Sequence, residues 1–178
     1  AVRLLVMKLL VIQAAALSYD LLQRHDSLER LDSLTFSPIE TVFPAVTCTA
    51  QASFRTISTT SKHGMTGNGF FHKDLMRPMF WEQASALVPG ERMWTSYREK
   101  GKTVAMLFWQ QSLGEDADMI ISPAPIHKHH GGMIQSCYSK PENLYSRVRD
   151  KVGRDFDLKH YWGPMASHKS SDWIAAAT

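Results

Sequence analysis

The chain has 178 residues, 44% of them hydrophobic, and a formal net charge of only +3 at neutral pH with histidine uncharged. That is enough apolar material for one domain with a sizeable core, or for part of a larger one. Lysine and arginine are spread along the chain, which excludes the concentrated basic stripe of a nucleic-acid polymer binder; the two cysteines, Cys48 and Cys137, do not make a disulfide framework.

In chain order, Arg3 and Lys8 precede the apolar run Leu9–Leu17, with small residues at Ala14–Ala16 and Ser18. This text imitates a secretory signal, which would imply a periplasmic or secreted protein. The run is too short to cross a bilayer as a helix, and no other segment reads as a membrane span. LLVIQ is short, β-branched and followed by helical text, so Lys8–Ala16 reads as a buried parallel-type strand; the two distant cysteines read as free thiols in a reducing, cytoplasmic setting. Ser18–Leu34 reads as a helix, with Leu21, Leu22, Leu28, Leu31 and Leu34 on one face. Phe36–Val46 is extended and broken by Pro38 and Pro44. Thr47–Thr56 reads as a helix, and Ser58–Gly69 as a loop.

Phe70–Pro89 is irregular and rich in aromatic residues and methionine. Gly90–Lys100 reads as a helix stopped by Gly101. Thr103–Trp109 is a buried strand and Asp118–Ser122 a shorter one. A long loop, Pro123–Tyr138, carries His127, His129 and His130, which could ligate a metal but read better as a surface or substrate-facing loop. Pro141–Val152 is a helix ended by Gly153, Phe156–Trp162 a strand or sheet edge, and Ser170–Thr178 the start of a helix. Alternating strands and helices predict an α/β three-layer sandwich around a mostly parallel sheet. The helical text at the end reads as an incomplete domain.

The chemistry concentrates between Glu40 and Phe71. A threonine hydroxyl is a weak nucleophile until a base or metal removes its proton and nearby dipoles stabilise the product. Thr47 opens a predicted helix, whose N-terminus offers unpaired N–H groups and partial positive charge to an anion; Thr47 or Thr49 also fits an ordinary helix cap. Asn68, in Gly67-Asn68-Gly69, can donate its amide to an oxyanion, and Asn-Gly is equally a strong turn signal. Cys48 sits beside Thr47 and reads either as a thiol activated by the helix terminus or as a buried core residue.

Spacing joins these residues. Thr47 is followed nine residues later by Thr56, then by His63-Gly64, then by Asn68 four residues after that glycine. This pattern resembles the nucleophile region of the alkaline phosphatase superfamily, in its nucleotide pyrophosphatase/phosphodiesterase-like branch. The order of elements resembles that branch across the whole chain, which implies that 1–178 is the N-terminal portion of a single alkaline-phosphatase-like hydrolase domain, with cap or rim elements in 70–140. The resemblance implies a metal-dependent hydrolase of small phosphate esters, of phosphodiester or pyrophosphate type, working through a covalent phospho-threonine on Thr47. It implies two divalent ions, zinc by expectation, with Thr47 and Asp20 as candidate metal ligands here and the remaining ligands beyond Thr178. Asn68 and Cys48 are the candidate phosphate-binding residues. Two departures stand out. Ala15 occupies the place of a metal-binding Asp at the end of the first strand, which motivates a rival expectation: a catalytically degenerate or accessory binding protein of the same fold. Ile57 occupies the place of a glycine after Thr56.

Overall fold

A computed structural model of the protein describes residues 8–24 and 34–178, except 125, 128 and 135. The chain divides into two units, Ala1–Thr41 and Val42–Thr178.

In the first unit the expected strand does not form. Residues 8–14 carry no regular structure, and Leu9, Leu10 and Ile12 are exposed. Apolar sequence supplies a drive toward burial. A strand also needs a neighbour to take its N–H and C=O groups, and no strand pairing among the described residues involves this run. The chain turns at Ala15–Ala16, with Leu17 N–H donating to the Ala14 carbonyl, and enters α1 (Tyr19–Arg24). Ser18 caps this helix, its Oγ accepting from Leu21 N–H at 3.1 Å. The rest of the expected Ser18–Leu34 helix, 25–33, lies outside the described residues.

The second unit begins with extended chain through Pro44 and then α2 (Thr47–Thr56), with the bounds the sequence predicted. The segment expected to be loop contains a single helical turn, α3 (Thr60–His63). The irregular stretch that follows is instead a β-hairpin, β1 (Gly69–His72) against β2 (Arg77–Phe80). Pro78 sits within β2, and a two-stranded ribbon is all edge and tolerates a residue without an N–H. A 3₁₀ turn at Ser85–Leu87 and α4 (Thr95–Glu99) come next. The helix α4 is shorter than the predicted Gly90–Lys100, because Gly90 has φ +112° and Met93 N–H is spent on the Arg55 carbonyl of α2 at 2.8 Å.

The central sheet is β3 (Ala105–Leu107), β4 (Met119–Pro123) and β7 (Cys137–Lys140); β3 runs parallel to β4, and β4 antiparallel to β7. A small ribbon, β5 (Ile126–His127) with β6 (Met133–Ile134), interrupts the predicted loop before β7. The α/β class therefore holds, with mixed pairing. Helices α5 (Leu144–Val152) and α6 (His168–Ala177) lay Leu144, Tyr145, Val148, Ile174 and Ala177 against a core of Phe108, Ile121, Phe156, Leu158 and Trp173. Each of these large side chains contributes about 1.5–3 kcal/mol on burial. Trp173 is fully buried, and its Nε1–H donates to the Arg154 carbonyl at 2.9 Å, so no polar atom of it is stranded. The predicted strand or edge at Phe156–Trp162 is a 3₁₀ turn, Leu158–His160. There the Asp157 carboxylate takes the Lys159 N–H, which offers the backbone an alternative to a ladder.

Candidate functional site

Helix α2 begins at Thr47 because Val46 before it is extended (φ −119°, ψ 158°). Valine has no side-chain acceptor, so the cap comes from elsewhere. Asn68 Oδ1 accepts the Cys48 N–H at 3.0 Å from 20 residues downstream. An N–H donor faces only an acceptor, so this contact fixes the amide orientation and turns the Asn68 NH₂ group away from the helix. Among the described residues the Asn68 NH₂ group and the Thr47 hydroxyl have no hydrogen-bond partner. Thr47, expected as a possible cap, is the first helical residue, and its half-buried side chain is uncommitted.

The Asn68 loop is held open by its neighbours. Gly69 pairs with Phe80 in the hairpin, and a Cβ at Gly69 would stand 2.4 Å from the Phe80 ring. Glycine is required there for strand packing. The backbone carbonyl of Asn68 accepts the Trp81 N–H at 2.9 Å. Asn68 is thus fixed at its backbone by the hairpin and at its side chain by α2.

Cys48 lies under the helix terminus with Ala52, Met65 and Val88, fully buried. Burial pushes its thiol up to about 11, against the opposing pull of a Gln111 hydrogen bond and the Arg55 charge. At neutral pH it is a protonated core thiol, and its backbone N–H is already held by Asn68. His63 is also buried. Its Nδ1 accepts the Met65 N–H at 3.1 Å, so Nε2 carries the proton and donates to Ser53 Oγ at 2.8 Å. This tautomer has no lone pair facing the serine, so the pair is no serine–base dyad. Asp20 is exposed on the first turn of α1, in the Ala1–Thr41 unit. His129 and His130 are exposed, and the side chain of His127 lies outside what is described.

Sequence reasoning missed the polar underside of α2. Gln51 Oε1 accepts the Gln110 N–H at 2.8 Å, and Arg55 Nη1 donates to the Gln111 carbonyl at 2.6 Å. Arg55 and Arg92 both pair with the buried Glu115, at 3.4 and 2.8 Å. Burial pulls the Arg55 guanidinium down to about 10, with Glu115 opposing and Arg92 adding to the fall. The available signal was the helical spacing of Gln51 and Arg55 with Cys48 and Ala52, which puts two long polar side chains on the inward face.

Among the described residues of this stretch a metal would find the uncommitted Thr47 hydroxyl, and the buried Thr49 hydroxyl is likewise without a hydrogen-bond partner. Among the described residues no three His, Cys, Asp or Glu side chains stand together as a ligand group. The residues of this stretch therefore do not by themselves fit a two-ion centre. Among the described residues, too, no helix is long and apolar enough to cross a membrane.

Comparison with known proteins places this geometry in context. The family model described as type I phosphodiesterase / nucleotide pyrophosphatase matches residues 9–178. No curated protein matches, and no solved structure matches.

Proposed function

The chain belongs to the type I phosphodiesterase / nucleotide pyrophosphatase family, and from that premise we propose that Thr47 is the nucleophile of a covalent phosphoryl transfer. The substrate class is a small phosphate ester, of phosphodiester or pyrophosphate type. Thr47 Oγ1 forms a bond to phosphorus as the bond to the leaving oxygen breaks, and the hydroxyl proton passes, by way of solvent, to the leaving oxygen. Water then attacks phosphorus, the Thr47 O–P bond breaks, and the free hydroxyl is restored.

The observation that carries this reading is the juxtaposition of an uncommitted Thr47 hydroxyl with an Asn68 amide locked to the same helix end. The Asn68 NH₂ group would donate to a non-bridging phosphate oxygen, and the α2 terminus adds partial positive charge beside the anion. Cys48 would serve by packing and by anchoring Asn68 through its N–H. Two divalent cations, zinc by resemblance, would lower the pKa of the hydroxyl and offset phosphate charge when bound. We place their remaining ligands outside the described residues. Replacing Thr47 by alanine in the full chain is expected to abolish hydrolysis of a chromogenic phosphodiester. Retained metal-dependent hydrolysis by that variant overturns the assignment.

Ala15 favours a second reading, an accessory binding protein that keeps the fold with an incomplete metal site, since a methyl group cannot ligate zinc. Metal analysis of the purified full chain separates the two. Two bound divalent ions support the enzyme, and none supports the degenerate protein.

A further inference from the structure

We propose that Gln83, far from Thr47 in sequence, is a positioning residue that sets the Asn68 amide against the helix bearing Thr47; the inference rests on the reading of Thr47 and Asn68 given above. Gln83 is buried, and its side chain is fully engaged. Its Nε2 donates to the Trp81 carbonyl at 2.7 Å and to Gln110 Oε1 at 2.6 Å. Its Oε1 accepts the Gln111 N–H at 3.1 Å. Each contact fixes the amide in the same sense, since two acceptors face the NH₂ group and one donor faces the oxygen.

These bonds close a ring. Trp81 N–H holds the Asn68 carbonyl. The Trp81 carbonyl is held by Gln83. Gln83 holds Gln110 and Gln111. Gln110 N–H is held by Gln51 on α2, and Cys48 at the start of α2 returns to Asn68 Oδ1. Both ends of Asn68 are therefore tied into one circuit, and within it Gln83 is the side chain whose hydrogen bonds join Trp81, at the end of the hairpin, to the loop beneath α2.

The backbone shows why such a bridge is needed. Trp81 has φ +53° and Gln111 has φ +50°, a left-handed conformation that residues with side chains rarely adopt. Such conformations persist where surrounding contacts over-determine them. Gln83 holds the carbonyl of one and the N–H of the other. Without it the Trp81 peptide is free to relax, and the Asn68 carbonyl loses a fixed donor. Catalytic groups displaced by about 1 Å can lose roughly a hundredfold in rate.

The test replaces Gln83 by methionine, of similar length but unable to form these bonds, and by glutamate, which keeps an acceptor for Gln111 but offers no donor to Trp81. Amide hydrogen exchange at Cys48 and Trp81 is measured against Ile120 on β4, which reports global stability. We expect exchange at Cys48 to rise about tenfold beyond any change at Ile120 in both variants. Hydrolysis should fall roughly 10- to 100-fold in kcat with KM little changed. In an Asn68→Ala background, Gln83→Met should lower kcat no further. A buried substitution away from the ring, Ile120→Val, should leave kcat unchanged. Exchange at Cys48 that merely tracks Ile120, or a kcat loss that adds fully to that of Asn68→Ala, overturns the positioning role. Raised Cys48 exchange in a protein whose wild type hydrolyses nothing overturns the phosphodiesterase reading and leaves the ring intact.

Discussion

The side-chain carbonyl of Asn68 accepts the Cys48 N–H at 3.0 Å, so one residue caps the helix that Thr47 opens while its NH₂ group, without a partner among the described residues, is left for the oxyanion role proposed above. The two roles use different atoms and come apart by substitution. Asn68→Ala removes both, and we expect a stability loss of about 1 kcal/mol together with the loss of the oxyanion donor. Asn68→Asp keeps an acceptor for the helix and places negative charge at its positive end. It should therefore retain or gain up to about 1 kcal/mol while lowering kcat roughly 100- to 1000-fold. Chemical denaturation and steady-state hydrolysis of the three proteins read the split directly.

Glu115 balances two arginines in the interior. Arg55 is fully buried and Arg92 partly so, and both lean on the same carboxylate. Glu115→Gln leaves that positive charge uncompensated and is expected to cost about 3–5 kcal/mol. The exposed Arg149–Asp150 pair provides the contrast. Asp150→Ala should leave the urea midpoint nearly unchanged. Urea midpoints of the two variants measure both values.

His63 makes the fold sensitive to acid. Burial, with the Arg55 charge adding to it, holds the His63 pKa below its ordinary 6.5. The folded chain therefore binds this proton less readily than the unfolded chain. Stability from His63 is full above pH 6.5 and declines as pH falls from there toward the lower folded-state value. Protonation would also remove the acceptor that Met65 N–H uses. Unfolding free energies measured between pH 8 and pH 5 should decrease, and His63→Gln should flatten that decrease. A profile equally steep in the variant would contradict the assignment.

Ile57 shows how a sequence departure is absorbed. The helix ends with Ile57 in the left-handed region, φ +47° and ψ +44°, where glycine is favoured. The turn keeps that geometry, and a β-branched residue carries its strain. The Ile57 side chain is three-quarters exposed, so little packing offsets the cost. Ile57→Gly should stabilise the protein by about 1 kcal/mol and leave hydrolysis unchanged. Thermal denaturation tests this, and a lower Tm would refute it.

Legibility of the sequence followed the kind of force involved. Helix α2 was readable to its ends because a proline-broken extended segment and a hydroxyl-rich first turn mark its start. The strands β3 and β4 were readable because Val104–Trp109 and Met119–Ile121 are short apolar runs bounded by polar text. Lys8–Ala16 looked the same, but its apolar character could not disclose whether a neighbouring strand takes its hydrogen bonds. The pairing of Asn68 with Cys48 lay in spacing alone, as a hint of proximity without its geometry. In the buried circuit Gln51 left a signal in its helical spacing, but Gln83, Gln110 and Gln111 left none, because a glutamine buried with its partners looks in sequence like a glutamine in water.

The central claim is that Thr47 carries the phosphoryl group. The most direct measurement is mass analysis of the full chain, quenched in acid during turnover of a phosphodiester substrate. A phosphoryl group is expected on the peptide containing Thr47, absent without substrate and absent in Thr47→Ala. Turnover with Thr47 unmodified at every quench time, together with normal hydrolysis by Thr47→Ala, would contradict it.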